Sequence, residues 1–271
     1  MNILKGLGAF CSFRFMPQGN RCKVLALCLL PLCCWGQEYH GLTGLLQVPS
    51  AETDSAGTFR GNVSFLHQQF LPAQMPDKNT MSYTIGLTPF RWIELSYGAA
   101  LLWMHKNRDK KETMGFYNED RRVNVKVTPL YEGRWWPAIA IGMDDVGRFR
   151  GISTGKNTNN YFQNIYGVAS KHFDIRGWQL GAHLAYRYYT SDKNKERRGV
   201  AGGLSLRPAI FVGQGTNAGQ YRPLRLIAEW DGAGVNVGAD VLLWRHLFIQ
   251  AALVHGCGFT GGIGYHYTIP H

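Results

Sequence analysis

The chain has 271 residues, a formal net charge of +11 at pH 7, 45% hydrophobic residues and six cysteines. Only Cys257 lies beyond residue 36, so the rest of the chain can form no intramolecular disulfide and offers no cysteine pair for zinc. The basic residues lie mostly in polar segments that also contain acids, and no aromatic-interleaved basic stripe indicates nucleic-acid binding.

Residues 1–36 are predicted to be a cleaved secretory signal peptide. The segment VLALCLLPLCC, residues 24–34, is an apolar run that follows basic residues and precedes a small residue, Gly36. The run is too short for a membrane-spanning helix, which needs about 20 apolar residues. Two alternatives stay open: translation that starts at Met16, and lipoprotein cleavage before Cys33.

Beyond this leader, apolar and polar residues alternate along the chain. In RVNVKVTPL, residues 122–130, Val123, Val125 and Val127 alternate with polar residues, which is typical of a strand with one apolar and one polar face. Similar segments recur, and no window has the spacing and caps of an amphipathic helix. The pattern predicts about twelve strands, at residues 58–68, 80–88, 92–104, 121–129, 136–143, 161–173, 178–188, 199–207, 223–231, 234–243, 247–255 and 259–267.

The links between these strands differ in length on the two sides of the predicted sheet. If the strands run up and down, short links fall on one side, and the long polar links 69–79, 105–120, 144–160 and 189–198 fall on the other. Short periplasmic turns and long outer loops are typical of outer-membrane barrels. The long link at 211–222 lies on the short side and departs from this rule.

Aromatic residues concentrate near the predicted strand ends. The tryptophans placed in this way are Trp92, Trp103, Trp135, Trp136, Trp178, Trp230 and Trp244. Because tryptophan favours the interface between lipid and water, this distribution favours aromatic girdles around a membrane barrel. Hydrophobic corners of a soluble β-sandwich are the alternative interpretation.

Together these features predict an all-β fold, a single antiparallel transmembrane β-barrel over residues 58–271 with a short periplasmic lead-in at 37–57 that could fold into the barrel mouth. A barrel pairs every strand, whereas a secreted soluble β-sandwich, the main alternative, leaves sheet edges to protect. The apolar face would contact outer-membrane lipid, and a lumen of this size is expected to be narrow or plugged. The charged residues predicted to line the lumen are Arg60, Glu94, Lys126, Arg187, Arg225, Glu229 and Asp231.

Few residues indicate chemistry. Glu229 and Asp231 share a strand face with Arg225, which predicts a charge-balanced network in the lumen. The adjacent Asp144 and Asp145 would point to opposite faces of a strand, so we interpret them as a strand end. The segment GISTGKNT, residues 151–158, lacks the spacing and the hydroxyl of a phosphate-binding loop.

No catalytic motif is recognisable in the sequence. A histidine such as His183 or His255 could act as the base of a barrel hydrolase, but no serine has a recognisable nucleophile context. We therefore expect no catalytic residues, no metal and no cofactor. A barrel enzyme that acts on lipid or glycan remains an alternative.

Three glycine-rich stretches follow one another in the chain: GLTGLLQVPSAETDSAGTFRGNVSF from residue 41, WPAIAIGMDDVGRFRG with YGVASKHF between residues 136 and 173, and LIAEWDGAGVNVGADVLLW from residue 226. In this order they resemble the YjbH family of exopolysaccharide-associated outer-membrane proteins. The positions that match the family pattern are Gly44, Leu45, Pro49, Ala51, Pro137, Ala140, Gly142, Asp145, Val168, Ala169, Ser170, Lys171, Glu229 and Asp231.

The resemblance implies an outer-membrane barrel linked to the synthesis or export of a surface polysaccharide, with that polysaccharide or export-machinery proteins as partners. It implies no established catalytic chemistry. This chain departs from the family pattern in a polar insertion, RFRGISTGKNTNN, and in its short length, which suffices for one barrel. The residues expected to contact a glycan that threads the lumen are Arg60, Lys126, Arg187, Glu229 and Asp231.

Overall fold

The structure is a computed structural model that describes residues 36–72, 79–108, 111–146, 161–190, 192–208, 210–212, 219–221 and 223–269, with side chains described outside 102–119 and 210–221. The predicted signal peptide up to residue 35 and the segment 151–158 lie outside the described residues. Within the described ranges, no helix has the length and apolar character needed to cross a membrane.

The described residues form strands with defined bounds. These are β1 Thr58–Leu66, β2 Thr80–Phe90, β3 Ile93–Arg108, β4 Lys111–Leu130, β5 Ala138–Asp144, β6 Asn164–Ile175, β7 Trp178–Tyr189, β8 Gly199–Arg207, β9 Ile210–Val212, β10 Gly219–Tyr221, β11 Leu224–Trp230, β12 Val235–Leu243, β13 Leu247–Val254 and β14 Gly258–Thr268. Short 3₁₀ segments, Gln68–Phe70 and Asp192–Arg197, lie in two of the connections.

In this part of the chain, all strands except β9 and β10 close into one antiparallel barrel. Neighbouring strands follow chain order, with β8 next to β11, and the barrel closes where β1 pairs with β14 and Thr58 lies opposite Thr268. We call the rim at which β1 begins and β14 ends the terminal rim. The closed barrel confirms the predicted fold class and excludes a two-sheet sandwich.

Two links differ from the sequence prediction. The predicted loop at 105–120 is wrong, because β3 and β4 continue through most of it and pair as far as Arg108 opposite Lys111. Charged residues near the tip hide the alternation there, whereas backbone groups can pair whatever side chains they carry. The link at 211–222 contains the small hairpin of β9 and β10.

The outer face of the barrel is apolar. Val123 is 44% exposed, and Val125 and Val127 lie on the same face of β4. Exposed apolar residues on this face of the other strands include Phe59, Val63, Ile85, Leu87, Ile141, Leu184, Val200, Leu226, Val237, Ile249 and Ile263. Lipid contact requires such a continuous apolar band, which soluble proteins rarely expose, so the barrel is of the transmembrane type.

Exposed tryptophans mark the barrel ends. Trp92 lies in the turn between β2 and β3 and stacks on Phe90 with ring centroids 5.8 Å apart. The other exposed tryptophans are Trp135, Trp136, Trp178, Trp230 and Trp244, while the side chain of Trp103 lies outside the described residues. This placement matches the interfacial preference of indole rings.

Residues 36–54 lie inside the barrel, deeper than the periplasmic lead-in that the sequence predicts at 37–57. We call them the plug. Leu42, Leu45 and Val48 are fully buried, and the plug forms hydrogen bonds with β3, β4, β6, β7, β11 and β13. The polar inner face thus pairs the plug backbone, which could not be buried otherwise.

Candidate functional site in the barrel lumen

The plug is a compact irregular loop. An isolated β-bridge joins Gly44 to Pro49. Gly41 has a φ of +94°, and its carbonyl oxygen lies 2.6 Å from the position that a Cβ on Gly86 of β2 would occupy. The missing side chain at Gly86 therefore lets the plug backbone approach the wall.

Glu94 of β3 is the centre of a buried ion-pair cluster. Its carboxylate lies 3.3 Å from Arg60 Nη2 on β1 and 2.9 Å from Lys126 Nζ on β4, and the three side chains are fully buried. The same carboxylate accepts hydrogen bonds from the backbone N–H groups of Thr43 and Asp54, each at 3.0 Å. One carboxylate thereby joins three strands of the wall to two points of the plug.

Lys126 also binds the plug directly. Its ammonium donates to the carbonyl oxygens of Thr43 at 3.0 Å and Glu52 at 2.8 Å, and to the hydroxyl of Thr43. A buried ammonium is stable only when its three N–H groups have partners. The plug backbone supplies those partners together with Glu94.

Glu229 of β11 binds the plug from the opposite side of the barrel, six strands from β3. Its carboxylate accepts from the backbone N–H groups of Leu46, Gln47 and Val48 at 3.0, 2.9 and 3.0 Å. Three successive N–H groups that converge on one anion form a nest, a common way for backbone to bind negative charge. The plug is thus fixed between two buried carboxylates, Glu94 and Glu229.

The lumen arginines bind plug carbonyl oxygens. Arg225 donates from Nη1 to Gly44 O at 2.8 Å and from Nε to Asp240 Oδ2 of β12 at 2.9 Å. Arg187 donates from Nη1 to Gln47 O at 3.3 Å. Within the lumen, Arg225 therefore forms its direct ion pair with Asp240, while Glu229 binds plug N–H groups.

Asp231 lies just beyond β11 and organises the turn that follows. Its Oδ1 accepts from the backbone N–H groups of Ala233 at 2.9 Å and Gly234 at 2.8 Å, and its Oδ2 lies 3.4 Å from Arg197 Nε. Burial raises the pKa of Asp231. The charge of Arg197 and these hydrogen bonds lower it by more, so the pKa of Asp231 lies below its usual value. The structure thus places all seven predicted lining residues inside the barrel, in plug or turn contacts.

A second cluster lies near the terminal rim, where the plug meets β6. Glu52 Oε1 of the plug is 2.7 Å from His172 Nε2, and Glu132 Oε2 is 2.6 Å from His172 Nδ1. Burial raises the pKa of Glu52, but the hydrogen bond from His172 and the nearby basic groups bring it well below its usual value. Burial raises the pKa of Glu132 as well, but hydrogen bonds from His172 and Lys171 bring it below its usual value, so both carboxylates face His172 as anions.

His183 of β7 extends the same cluster. Its Nδ1 lies 2.9 Å from Ser170 Oγ, and its Nε2 lies 3.2 Å from Ser205 Oγ. The rings of His172 and His183 are T-shaped with centroids 5.6 Å apart. Sequence reasoning named His183 without these partners, because strand period alone does not fix which residues of β6 and β8 lie beside it.

Aromatic rings surround the plug on its other side. Arg122 of β4 lies over Phe162 at 4.5 Å and over Tyr39 at 5.2 Å from the ring centroids. His40 meets Phe162 edge-on at 5.5 Å. Burial and the charges of Arg122 and Arg187 hold the pKa of His40 well below its usual value, so His40 is neutral.

Several family-pattern positions build the plug or its contacts. Gly44 accommodates the tight plug loop, since a Cβ there would lie 2.9 Å from Val48 O. Ser170 Oγ accepts a hydrogen bond from Ala51 N at 2.9 Å. Lys171 lies 3.0 Å from Glu132 at the terminal rim. The glycines and the serine thus serve the fit between plug and wall.

The remaining positions shape β5 and its ends. Pro137 immediately precedes β5, and a Cβ on Gly142 would lie 2.1 Å from the Tyr166 ring, so the glycine makes room for that ring. Asp145 has a φ of +57° and donates its N–H to Asn124 Oδ1 at 3.1 Å. The strand β5 ends at Asp144, which confirms the strand-end interpretation, but the backbone turn buries both Asp144 and Asp145 and so corrects the expectation of opposite faces.

Sequence reasoning missed several plug residues that contact the barrel wall. Thr43, Leu46 and Glu52 were not among the predicted site residues, although their segment carries the glycine-proline part of the family pattern. That pattern was the one available signal, because a lumen-filling loop has no period.

Comparisons with known proteins address the family and the fold. A sequence model of the YjbH family, described as exopolysaccharide biosynthesis protein YbjH, matches residues 36–234, which include the whole plug. No curated protein sequence matches the chain.

Several solved outer-membrane structures are similar in fold. An outer membrane channel from Pseudomonas putida F1 has a TM-score of 0.37 and 12% identity, covering 81% of this chain and 98% of its own. The β domain of the Bordetella autotransporter BrkA has a TM-score of 0.32 and 16% identity, with 80% and 100% covered. A bacterial polysaccharide outer membrane secretin has a TM-score of 0.30 and 9% identity, with 80% and 99% covered. Scores this low carry no argument about function.

The sequence match spans most of the chain and covers both the plug and the strands that hold it. Its extent agrees with the resemblance that the three glycine-rich stretches indicate. The chain belongs to the YjbH family of exopolysaccharide biosynthesis proteins.

Proposed function

We propose that the protein is a non-catalytic outer-membrane barrel, closed by its own plug, that acts in the synthesis or export of a surface polysaccharide. The family membership supports the link to polysaccharide. The apolar outer face supports residence in a lipid bilayer. The wall binds the plug through polar side chains, which supports a lumen that could bind a polar polymer once the plug is displaced.

The observation that carries the proposal is that wall side chains bind the plug through its backbone. Glu229 accepts three plug N–H groups, and Lys126 and Arg225 donate to plug carbonyl oxygens. A glycan presents hydroxyl groups and acetal oxygens, which take the same donors and acceptors. If the plug were displaced, the same wall side chains would be available to form hydrogen bonds with a polysaccharide along the lumen.

Deletion of the gene in its host tests this role. We expect surface polysaccharide, measured after purification by total sugar content, to fall in the deletion strain and to recover with the wild-type gene. The Glu229→Gln variant should recover less, while Trp230→Phe, an outer-face change on the same strand, should recover fully. Unchanged polysaccharide in the deletion strain would contradict the proposal.

Planar bilayer recordings test the plug as a closure. The wild-type barrel should conduct little, and a variant that lacks residues 37–54 should show open steps. Membrane residence is checked on the same material by detergent extraction and heat-modifiable gel migration. Equal conductance of the two proteins would contradict a closing role.

One observation favours a second function, hydrolysis of a lipid or glycan. His183 Nδ1 lies 2.9 Å from Ser170 Oγ, as a base lies beside a nucleophile. However, the second ring nitrogen meets Ser205 rather than a carboxylate, and Ser170 is buried where Ala51 of the plug binds it. Both features differ from a working triad.

Turnover of chromogenic esters and glycosides by the purified barrel separates the two functions. We expect no turnover above a protein-free blank. Ser64→Ala, a change on the inner face of β1, is the matched control for loss of a buried serine and should behave as the wild type does. Turnover that Ser170→Ala removes would establish the enzyme and contradict the non-catalytic proposal.

A further inference from the structure

The cluster at the terminal rim brings together ligand types that transition metals prefer. The ligand atoms of Glu52, His172 and His183 all lie within 4.8 Å of one another. They come from three different elements, the plug, β6 and β7, so the folded barrel rather than local sequence assembles them. The side chains of Glu52 and His183 are buried, and that of His172 is nearly so.

A glycine makes the approach of the two imidazoles feasible. Gly181 lies on β7 opposite His172 in the strand register. A Cβ at Gly181 would lie 2.9 Å from His183 Nε2 and 3.0 Å from His172 Cδ2. The missing side chain therefore keeps open the space between the two rings.

The surroundings of His172 have the arrangement found behind metal-bound histidines. Glu132 holds His172 Nδ1 at 2.6 Å, which leaves Nε2 directed at Glu52. A carboxylate on the second ring nitrogen fixes the orientation of a ligating imidazole and raises its basicity. Ser170 Oγ lies 2.9 Å from Nδ1 of His183 and so fixes the orientation of that ring.

From this geometry we propose that Glu52, His172 and His183 form a binding site for a divalent transition-metal ion, zinc above all, which ties the plug to the barrel wall. Two imidazoles and one carboxylate form a recurrent zinc ligand set with a fourth position left for water. Magnesium and calcium prefer all-oxygen sites, so the site discriminates against them. On binding, Nε2 of His172 releases to solvent the proton that it donates to Glu52, and the metal ion takes the place of that proton.

The site is independent of the polysaccharide role and concerns how firmly the plug is held. A metal ion bound by Glu52, His172 and His183 would link the plug to β6 and β7 through coordination bonds. Any ligand that binds the assembled state alone stabilises that state. Zinc should therefore raise the temperature at which the barrel loses its folded gel mobility.

The test uses the full mature chain in detergent, purified without a polyhistidine tag and stripped with chelator. Titration with zinc should give one saturable site per chain, and cobalt should give the visible absorption of tetrahedral coordination. His172→Ala and His183→Ala should lose this site. Glu132→Gln should keep it but bind about 10–100-fold more weakly.

His246→Ala is the matched control, because His246 lies near the same rim and its Nδ1 binds His266 O outside the cluster. This variant should bind zinc as the wild type does. If His172→Ala and His183→Ala each still bind one zinc ion per chain, the proposed site is wrong. If those variants fail to fold, cobalt bound to the wild type without tetrahedral absorption would overturn it equally.

Discussion

The two faces of the barrel wall follow different rules. On the outer face, side chains such as Val63, Val123 and Ile263 share one property, apolar character, and meet lipid rather than a particular residue. On the inner face, Glu94 and Glu229 each have a defined set of partners in the plug. A substitution on the outer face should therefore be tolerated if the new residue is also apolar, whereas a substitution on the inner face removes specific hydrogen bonds or ion pairs.

The largest effect should come from the inner face at Glu94. In Glu94→Gln, Arg60 and Lys126 lose their shared buried anion, and loss of one partner from a buried pair costs about 3–5 kcal/mol. The free energy of unfolding should fall by that amount, measured by urea titration with gel mobility as readout. Val123→Ala, a change on the exposed outer face, should lower the free energy of unfolding far less. Equal decreases in the two variants would contradict the difference between the two faces.

A charge on the outer face should have the next largest effect. Val63 lies in the middle of β1, and Val63→Lys would place an ammonium in lipid at a cost of about 2–4 kcal/mol. Unfolding in lipid vesicles should show this loss, whereas Val63→Leu should be nearly neutral. A harmless lysine there would mean that this face does not contact hydrocarbon.

A smaller and more local effect is expected at Glu229. Glu229→Gln replaces the charged acceptor of three plug N–H groups, and hydrogen bonds to charged groups contribute about 1.5–3 kcal/mol. Hydrogen exchange should accelerate at Leu46, Gln47 and Val48 while the strand amides keep their protection. Uniform acceleration across the barrel would show that the plug and wall open as one unit.

The smallest effect concerns pH and His40. Because the pKa of buried His40 lies below that of the released residue, the released plug binds more protons as the pH falls below about 6.5. Plug binding should weaken by up to about 1.4 kcal/mol per pH unit in that range. Exchange of the plug amides should therefore depend less on pH in His40→Gln than in the wild type, and identical pH profiles would contradict this assignment.

The sequence predicted most of the wall. Alternation locates the barrel strands because each residue position has one of two environments, and the same rule assigns Arg60, Lys126 and Glu229 to the interior. It failed at the hairpin of β3 and β4, where the sequence has many charged residues and no longer alternates between apolar and polar positions, although the backbones still pair.

The candidate site could be predicted only in part. The inward direction of Arg225 follows from strand period, but its choice of Asp240 depends on which strand lies beside β11. The plug carries apolar residues such as Leu45 without a period, so its place in the lumen follows from the shape of the cavity. The proximity of Glu52 to His172 is likewise a property of the closed barrel.

The junction between the plug and β1 limits how the lumen can open. Only residues 55–57 separate the plug from Thr58, and three extended residues span about 10 Å. A linker of that length does not allow the whole plug to leave the lumen as a rigid body while β1 stays paired with β14. Opening that keeps β1 in the barrel would therefore begin at the end near Gly36, where the Thr43 contact with Glu94 breaks early and the Asp54 contact with Glu94 breaks last.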